Sequence, residues 1–228
     1  MREVIGHKSA RRILVYGSTG ASVHIAFEGI HQAGGRASVV AYVDDTPDAP
    51  DVACDGLPVI DFDGMADYPD LPILVAVQSA HGRRSLFERL DEVGRRIIGM
   101  PGLAHLVHPL AEVGEGVVVS STSRVMPGVR LERGVMVLAD LVAEDVHVGE
   151  YTTLAVHSIV LGHVDIGADV HVAPGAIINN GRVGRRMTIG DGAIIGTGAV
   201  VDRPVGAGEV VLGNRAMSPE AWHRLRAL

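Results

Sequence analysis

A chain of 228 residues has room for two small domains, or for one ordinary domain with a repeat extension. Its 27 acidic and 20 basic side chains give a net charge of −7 with no block of Lys or Arg, which argues against a nucleic-acid groove. One cysteine, Cys54, excludes an intrachain disulfide, and no stretch reads as a membrane span or signal peptide, so a soluble cytoplasmic protein is expected.

Residues 1–11 read as a polar lead-in. The apolar run Ile13–Tyr16, then Gly17-Ser18-Thr19-Gly20-Ala21-Ser22, then a helical pattern through Ile25, Ile30 and Ala33 predict strand, turn and helix. Such a turn presents backbone N–H groups to an anion, or simply joins the two elements. A second strand, Ser38–Val43, ends at Asp44-Asp45. Carboxylates at that place accept hydrogen bonds from ribose or sugar hydroxyls, and Asp-Asp-Thr-Pro is equally a good turn. Gly56–Val59 leads into a further strand, and Leu71–Val77 reads as a buried one. Arg83–Gly94 predicts an amphipathic helix with Leu86, Phe87, Leu90 and Val93 on one side. Arg83 and Arg84 at its start read first as solvated arginines and second as a phosphate-neutralising pair.

From Val113 to Val201 an aliphatic residue returns at every sixth position. Val113, Val119, Val125, Leu131 and Val137 hold one phase; Val142, Val148, Leu154, Val160, Ile166, Val172 and Ile178 hold a second; Val183, Ile189, Ile195 and Val201 complete the array. A period of six suits a coil of three short flat faces, each turning its central aliphatic inward, which is a parallel β-helix. One coil is about eighteen residues, so side chains that far apart stack. Asp145 then lies beside His163, and His147 beside Asp165; either pair would orient an imidazole and raise its basicity, or form a surface pair of modest worth. The pattern breaks at Pro204, Val205–Gly213 closes the coil, and Ser218-Pro219-Glu220 starts a helix bearing Trp222 that caps the open end.

The aliphatic-Gly pairs Val113-Gly114, Val148-Gly149, Ile166-Gly167, Ile189-Gly190 and Ile195-Gly196, behind a nucleotide-binding-like N-terminal part, resemble the left-handed β-helix hexapeptide-repeat acyltransferases. Within them the chain looks like the NeuD/PglD-like sugar O-/N-acyltransferases, over nearly its whole length. The resemblance implies a Rossmann-like domain at 1–99, a left-handed β-helix at 100–216 and a capping helix at 217–228. It also implies a homotrimer, and acetyl-CoA or another acyl-CoA as donor to an amino or hydroxyl group of a sugar or related small molecule, such as a nucleotide-linked sugar.

Carried residue by residue, the resemblance assigns substrate binding to Gly17, Ser18, Thr19, Gly20, Asp44 and Asp45. Thr19 and Ala21 stand where the family has a glycine and a histidine, and Gln78 where it has a glycine. Val107-His108-Pro109 resembles the start of its first coil, with His108 structural. His171-Val172-Ala173-Pro174-Gly175 matches its His-x-Ala-Pro-Gly segment and makes His171 the ring that meets the acyl thioester. Counting back from Gly167, the catalytic triplet reads Leu161-Gly162-His163, so the family's base is displaced by one, with Gly162 in its place. Ala155 and His157 replace an Asn and a Gly of the same cleft wall.

These matches make His163 with Asp145 the substitute base, with His157 a further acid–base group. Gly196, Thr197 and Gly198 resemble the coil along which coenzyme A lies, and Arg215 the shifted arginine of the closing segment. The β-helix carbonic anhydrases hold zinc with histidines that have four residues between the near pair; His157 and His163 have five, so no metal is expected. Three functions remain open: an acyl-CoA-dependent acyltransferase, a relative put to another acid–base reaction in the inter-subunit cleft, and a non-catalytic binding or scaffold trimer.

Overall fold

The computed structural model describes residues 12–32, 38–100 and 106–213. The N-terminal part is a five-stranded parallel sheet made of β1 (Ile13–Tyr16), β2 (Val39–Val43), β3 (Val59–Ile60), β4 (Ile73–Val75) and β5 (Ile97–Ile98) in the order β3-β2-β1-β4-β5. That is the order of a doubly wound sheet, and β1 and β4 are buried at every residue, as strands covered on both faces must be. Gly17 follows β1 at φ +107°, and a Cβ there would stand 2.6 Å from Ser22 Oγ, so glycine is required at the turn into α1 (Gly20–Gln32).

The second helix, α2 (Ala80–Glu92), starts three residues before the predicted Arg83. Ser79 caps it, its Oγ accepting from Gly82 N at 3.2 Å. Val93, expected on the apolar side, lies past the helix end and is 59% exposed.

The rest is a three-faced coil of parallel strands. One face stacks β6 (Glu112–Val113), β9 (Arg130–Leu131), β12 (His147–Val148), β15 (Val164–Ile166) and β18 (Met187–Ile189). The next stacks β7 (Val118–Val119), β10 (Met136–Val137), β13 (Thr153–Leu154), β16 (His171–Val172), β19 (Ile194–Ile195) and β21 (Val210–Val211). The third stacks β8 (Arg124–Val125), β11 (Leu141–Val142), β14 (Ile159–Val160), β17 (Ile177–Ile178) and β20 (Val200–Val201). Strands of two or three residues gain little from pairing alone. Their inward residues, Leu131, Val148 and Ile166 on one face, Leu154, Val172 and Ile195 on the next, Val142, Val160 and Ile178 on the third, are buried, and each such burial stabilises by roughly 1.5–3 kcal/mol.

Val183 departs from the expected array. It is 87% exposed at the tip of a hairpin closed by an antiparallel bridge between Arg182 and Arg185. The coil instead runs from Ile178 to Ile189, whose strands pair as the cadence requires. A chance five-residue spacing imitated the repeat. The expected C-terminal helix and Arg215 lie outside the described residues.

Outward residues give the three faces different characters. The first carries Glu112, Arg130, His147, Asp165 and Thr188 in register, a polar ladder. On the second, Val118, Met136 and Thr153 are buried toward the N-terminal part, and His171, Ile194 and Val210 follow. The third carries Leu141, Ile159, Ile177 and Val200, an aliphatic ladder at the surface.

The buried side chains of Phe87 and Arg83 are among those that join the parts. The Phe87 ring lies directly over the Cβ-less Gly116 and meets Tyr151 edge-on at 5.4 Å. Arg83, 1% exposed, donates from Nε to Gly134 O at 2.8 Å, from Nη1 to Val77 O and Gln78 O, and from Nη2 to Tyr151 O and Thr153 Oγ1. The solvated-arginine reading of Arg83 is thereby overturned: it satisfies a buried guanidinium with carbonyls from both parts.

Corners between faces use left-handed backbone. Gly128, Gly134, Gly175 and Gly198 do so, and so do Asp145, Tyr151, His157, His163 and Asp169, at φ of 54–60°. Asp and His tolerate this conformation better than most side chains, at a cost of about 1–2 kcal/mol. His157 has little to offset that cost, its ring being 80% exposed with only a 3.3 Å contact to Asp140. His157→Gly is therefore expected to stabilise the fold by about 1 kcal/mol, read as a raised midpoint in thermal or urea unfolding.

Candidate active site

His163 occupies the corner between β14 and β15, one coil above Asp145, and its left-handed backbone turns the ring outward beside that carboxylate. His163 Nδ1 lies 2.8 Å from Asp145 Oδ2. Arg186 braces the pair: its Nη1 donates to the same Oδ2 at 2.5 Å, its Nη2 to Asp145 O at 2.7 Å, and its Nε to Asp165 Oδ2 at 2.7 Å. Hydrogen bonds from His163 and then Arg186 hold the Asp145 carboxyl below the usual carboxylate range. With Nδ1 facing a carboxylate, the neutral ring carries its proton there and leaves Nε2 as the acceptor.

The other stacked pair does not form. His147 and Asp165 are in register, but His147 Nε2 lies 3.0 Å from Glu132 and Arg186 takes Asp165. At Gly162 the backbone N donates to Asn180 Oδ1 at 3.0 Å, and a Cβ would stand 2.5 Å from Glu144 Oε1. A side chain at Gly162 would have to move that carboxylate aside. His157 stands on a different corner from His163, beside Asp140 rather than in the His163–Asp145 pair.

His171 opens a second place. With Gln78, Ser79, His81, Arg84 and Asp169 it lines a cleft of ≈ 620 Å³ between the start of α2 and the β-helix. Arg84 Nη2 donates to Asp169 Oδ2 at 2.7 Å and its guanidinium lies 4.3 Å from the Tyr151 ring centre, which fixes one wall. Partial loss of solvent and then the charge of Arg83 push the His171 pKa below the ordinary imidazole value.

At the N-terminal turn, Asp44 Oδ2 accepts from Ser18 N at 3.0 Å and Ser18 Oγ at 2.6 Å, and its Oδ1 accepts from Thr46 N and Oγ1. Burial works to raise the Asp44 carboxyl, and these hydrogen bonds outweigh it, so its pKa is lowered. Asp45 accepts from Phe62 N and from Arg89 Nη1. Both carboxylates thus bind donors of their own domain, while Gly17, Thr19 and Gly20 frame the start of α1. Gly196, Thr197 and Gly198 form the corner after β19, with Gly198 at φ +65° and no atom near its missing Cβ.

Arg186 escaped the sequence reading because it belongs to the excursion that the false repeat at Val183 concealed. Arg83 left a signal: Arg83, Phe87 and Leu90 fall on one helical face, so the apolar stripe continues back to it. An NMR titration is expected to place the His171 midpoint below 6.5, leaving the ring neutral at pH 7.

No protein-family model and no curated protein sequence matches the chain. Solved structures do. The acetyltransferase domain of PglB from Neisseria gonorrhoeae FA1090, in complex with acetyl coenzyme A, superposes with a TM-score of 0.76 at 25% identity, over 91% of this chain and 98% of that one. PerB from Caulobacter crescentus, in complex with CoA and GDP-perosamine, gives 0.74 at 24% identity over 88% and 93%. WeeI from Acinetobacter baumannii AYE gives 0.67 at 24% identity over 90% and 99%. In fold, this chain is of the left-handed β-helix hexapeptide type, and the structures it superposes on include an acetyltransferase domain in complex with acetyl coenzyme A.

Proposed function

We propose that the protein is a cytoplasmic, trimeric acyltransferase that moves an acyl group from an acyl-CoA to an amino or hydroxyl group of a sugar or related small molecule, such as a nucleotide-linked sugar. The observation that carries the reading is the near-complete overlap, 91% of this chain and 98% of the other, with an acetyltransferase domain in complex with acetyl coenzyme A. The neighbour in complex with CoA and GDP-perosamine supports the acceptor class.

In this reading His163 is the general base. Asp145 holds the Nδ1 proton, and Nε2 takes a proton from the acceptor nitrogen or oxygen as it bonds to the thioester carbonyl carbon; the carbon–sulfur bond then breaks, and His163 returns the proton to the departing coenzyme A thiolate. Arg186 positions Asp145. His171, kept neutral, retains one N–H to offer to the oxygen on which negative charge develops. The acyl donor supplies an activated carbonyl; His171 with the corner at Gly196, Thr197 and Gly198 would hold it, through Gly198, which has no atom near its missing Cβ and lets an extended chain approach the backbone. Gly17, Ser18, Thr19 and Gly20 would meet the acceptor's far end, with Asp44 and Asp45 shaping the turn rather than reaching out.

On one chain His163 stands at the corner before β15 and His171 lies on β16 of the next face, with β15 and a further corner between them. Both reach one substrate only when His163 of one subunit meets His171 of the next. The aliphatic ladder Leu141, Ile159, Ile177 and Val200 supports such an assembly, since subunit contact would remove it from water. A second reading, another acid–base reaction at the same corner, is favoured by the Glu144 carboxylate that overlies Gly162.

Calorimetric titration with acetyl-CoA is expected to give micromolar binding, and His163→Ala to lower kcat by about 10²–10⁴-fold with donor affinity kept. Absence of binding at millimolar acetyl-CoA would sink acyl transfer in favour of the second reading. Ile159→Asp with Ile177→Asp is expected to give monomers by light scattering and to abolish turnover; an active monomer would refute the shared site.

A further inference from the structure

Among the described residues, the longest insertion into the coil is the segment between β17 and β18. The step from Ile178 to Ile189 is eleven residues, five more than the repeat needs. The added residues form a tight hairpin. Arg182 N donates to Arg185 O at 2.9 Å and Arg185 N donates to Arg182 O at 2.9 Å, with Val183 and Gly184 at the tip and Gly184 at φ +80°.

Two residues that exchange both backbone hydrogen bonds stand directly opposite, with their side chains on the same side and their Cα atoms about 5.5 Å apart. Here both side chains are guanidinium groups, and both residues are exposed. Among the described residues neither forms an ion pair, whereas Arg186, next in the chain, is paired with Asp145 and Asp165. Like charges held opposite one another on a hairpin are destabilising, and an anion between them reverses the sign of that interaction.

The hairpin is also fixed to the candidate base. Gly181 N donates to Gly162 O at 3.0 Å, Asn180 Oδ1 accepts from Gly162 N, and Met187 N donates to His163 O at 3.1 Å. Arg182 is one residue beyond the contact with Gly162. In a chain of net charge −7, a substrate anion is repelled by the molecule as a whole and needs a local cation to dock.

We propose that Arg182 and Arg185 form a fork that binds a phosphate group of the substrate entering the His163 corner. The proposal deepens the acyltransferase reading and rests on it for where the substrate lies. Phosphate is the matching anion: two planar guanidiniums offer paired N–H donors to its oxygens, and its charge cancels both cations, as a single carboxylate would not. The group belongs either to a nucleoside diphosphate on the acceptor or to coenzyme A.

The test compares the full chain with Arg182→Ala/Arg185→Ala and Arg182→Lys/Arg185→Lys by calorimetry against coenzyme A, 3′-dephospho-coenzyme A, UDP, GDP and inorganic pyrophosphate. The alanine pair is expected to weaken at least one phosphate ligand by about tenfold or more, the lysine pair to restore only part of it, and the loss to shrink in high salt. A loss for coenzyme A that 3′-dephospho-coenzyme A does not share assigns the fork to the 3′-phosphate. A loss for UDP or GDP assigns it to the acceptor. The ligand-free melting temperature of the alanine pair should stay level or rise, since a repulsion has been removed, which separates lost binding from lost folding. Equal affinities across all five ligands, or no binding of any by the parent chain, overturn the fork. If the parent binds pyrophosphate but no form of coenzyme A, acyl transfer fails and the pyrophosphate comparison still decides the fork.

Discussion

The inward return of one aliphatic side chain every sixth residue is the constraint on which the molecule depends. Strands as short as Arg130–Leu131 or His147–Val148 persist because Leu131 and Val148 sit on a stacked apolar column, and the next coil continues it. That demand falls on the faces alone. Corners need only a residue able to adopt left-handed backbone, so they take glycine where nothing else is wanted and Asp145, His157 or His163 where a polar side chain is to be held outward. Extra chain is admitted there too: the Arg182–Arg185 hairpin leaves the coil without disturbing the pairing of β15 with β18.

Most of the coil was legible because its signal is periodic and depends on volume and apolarity, which the sequence states directly. The same periodicity brought Asp145 and His163 together on paper, and they lie together in space. It failed at Val183, where five residues happened to separate an exposed valine from Ile178. Charged residues were harder to read. Arg83 and Arg84 are neighbours in sequence, yet one is buried among carbonyls and the other reaches Asp169 at the surface of the cleft. Nothing in a residue's type tells which carbonyls a distant coil will present. Asp44 and Asp45 carry a similar ambiguity, because a carboxylate that suits a sugar hydroxyl suits Ser18 and Thr46 equally well.

The His163 corner is held by groups from the coil below it and from the excursion between β17 and β18. With no side chain at Gly162, the Glu144 carboxylate occupies the space, and Asn180 of the excursion satisfies the buried glycine's N–H. His163 then gains its partner from the previous coil through Asp145, and Arg186 from the same excursion fixes that carboxylate from the other side. His163 and the hairpin are therefore parts of one arrangement: the hairpin's root supplies both the group that accepts from Gly162 N and the group that steadies Asp145.

The contact that joins the two halves has a bearing on how far such a chain can drift. Among the hydrogen-bond acceptors of Arg83 are the main-chain carbonyls of Val77, Gln78, Gly134, Tyr151 and Thr152. Every amino acid carries that group, so the acceptors themselves do not depend on side-chain type; the side chains of the junction exposed to mutation are the arginine and Thr153, whose hydroxyl also accepts from it. A junction written half in backbone can keep its geometry while the residues around it turn over, which suits an architecture still superposable on relatives that share one residue in four.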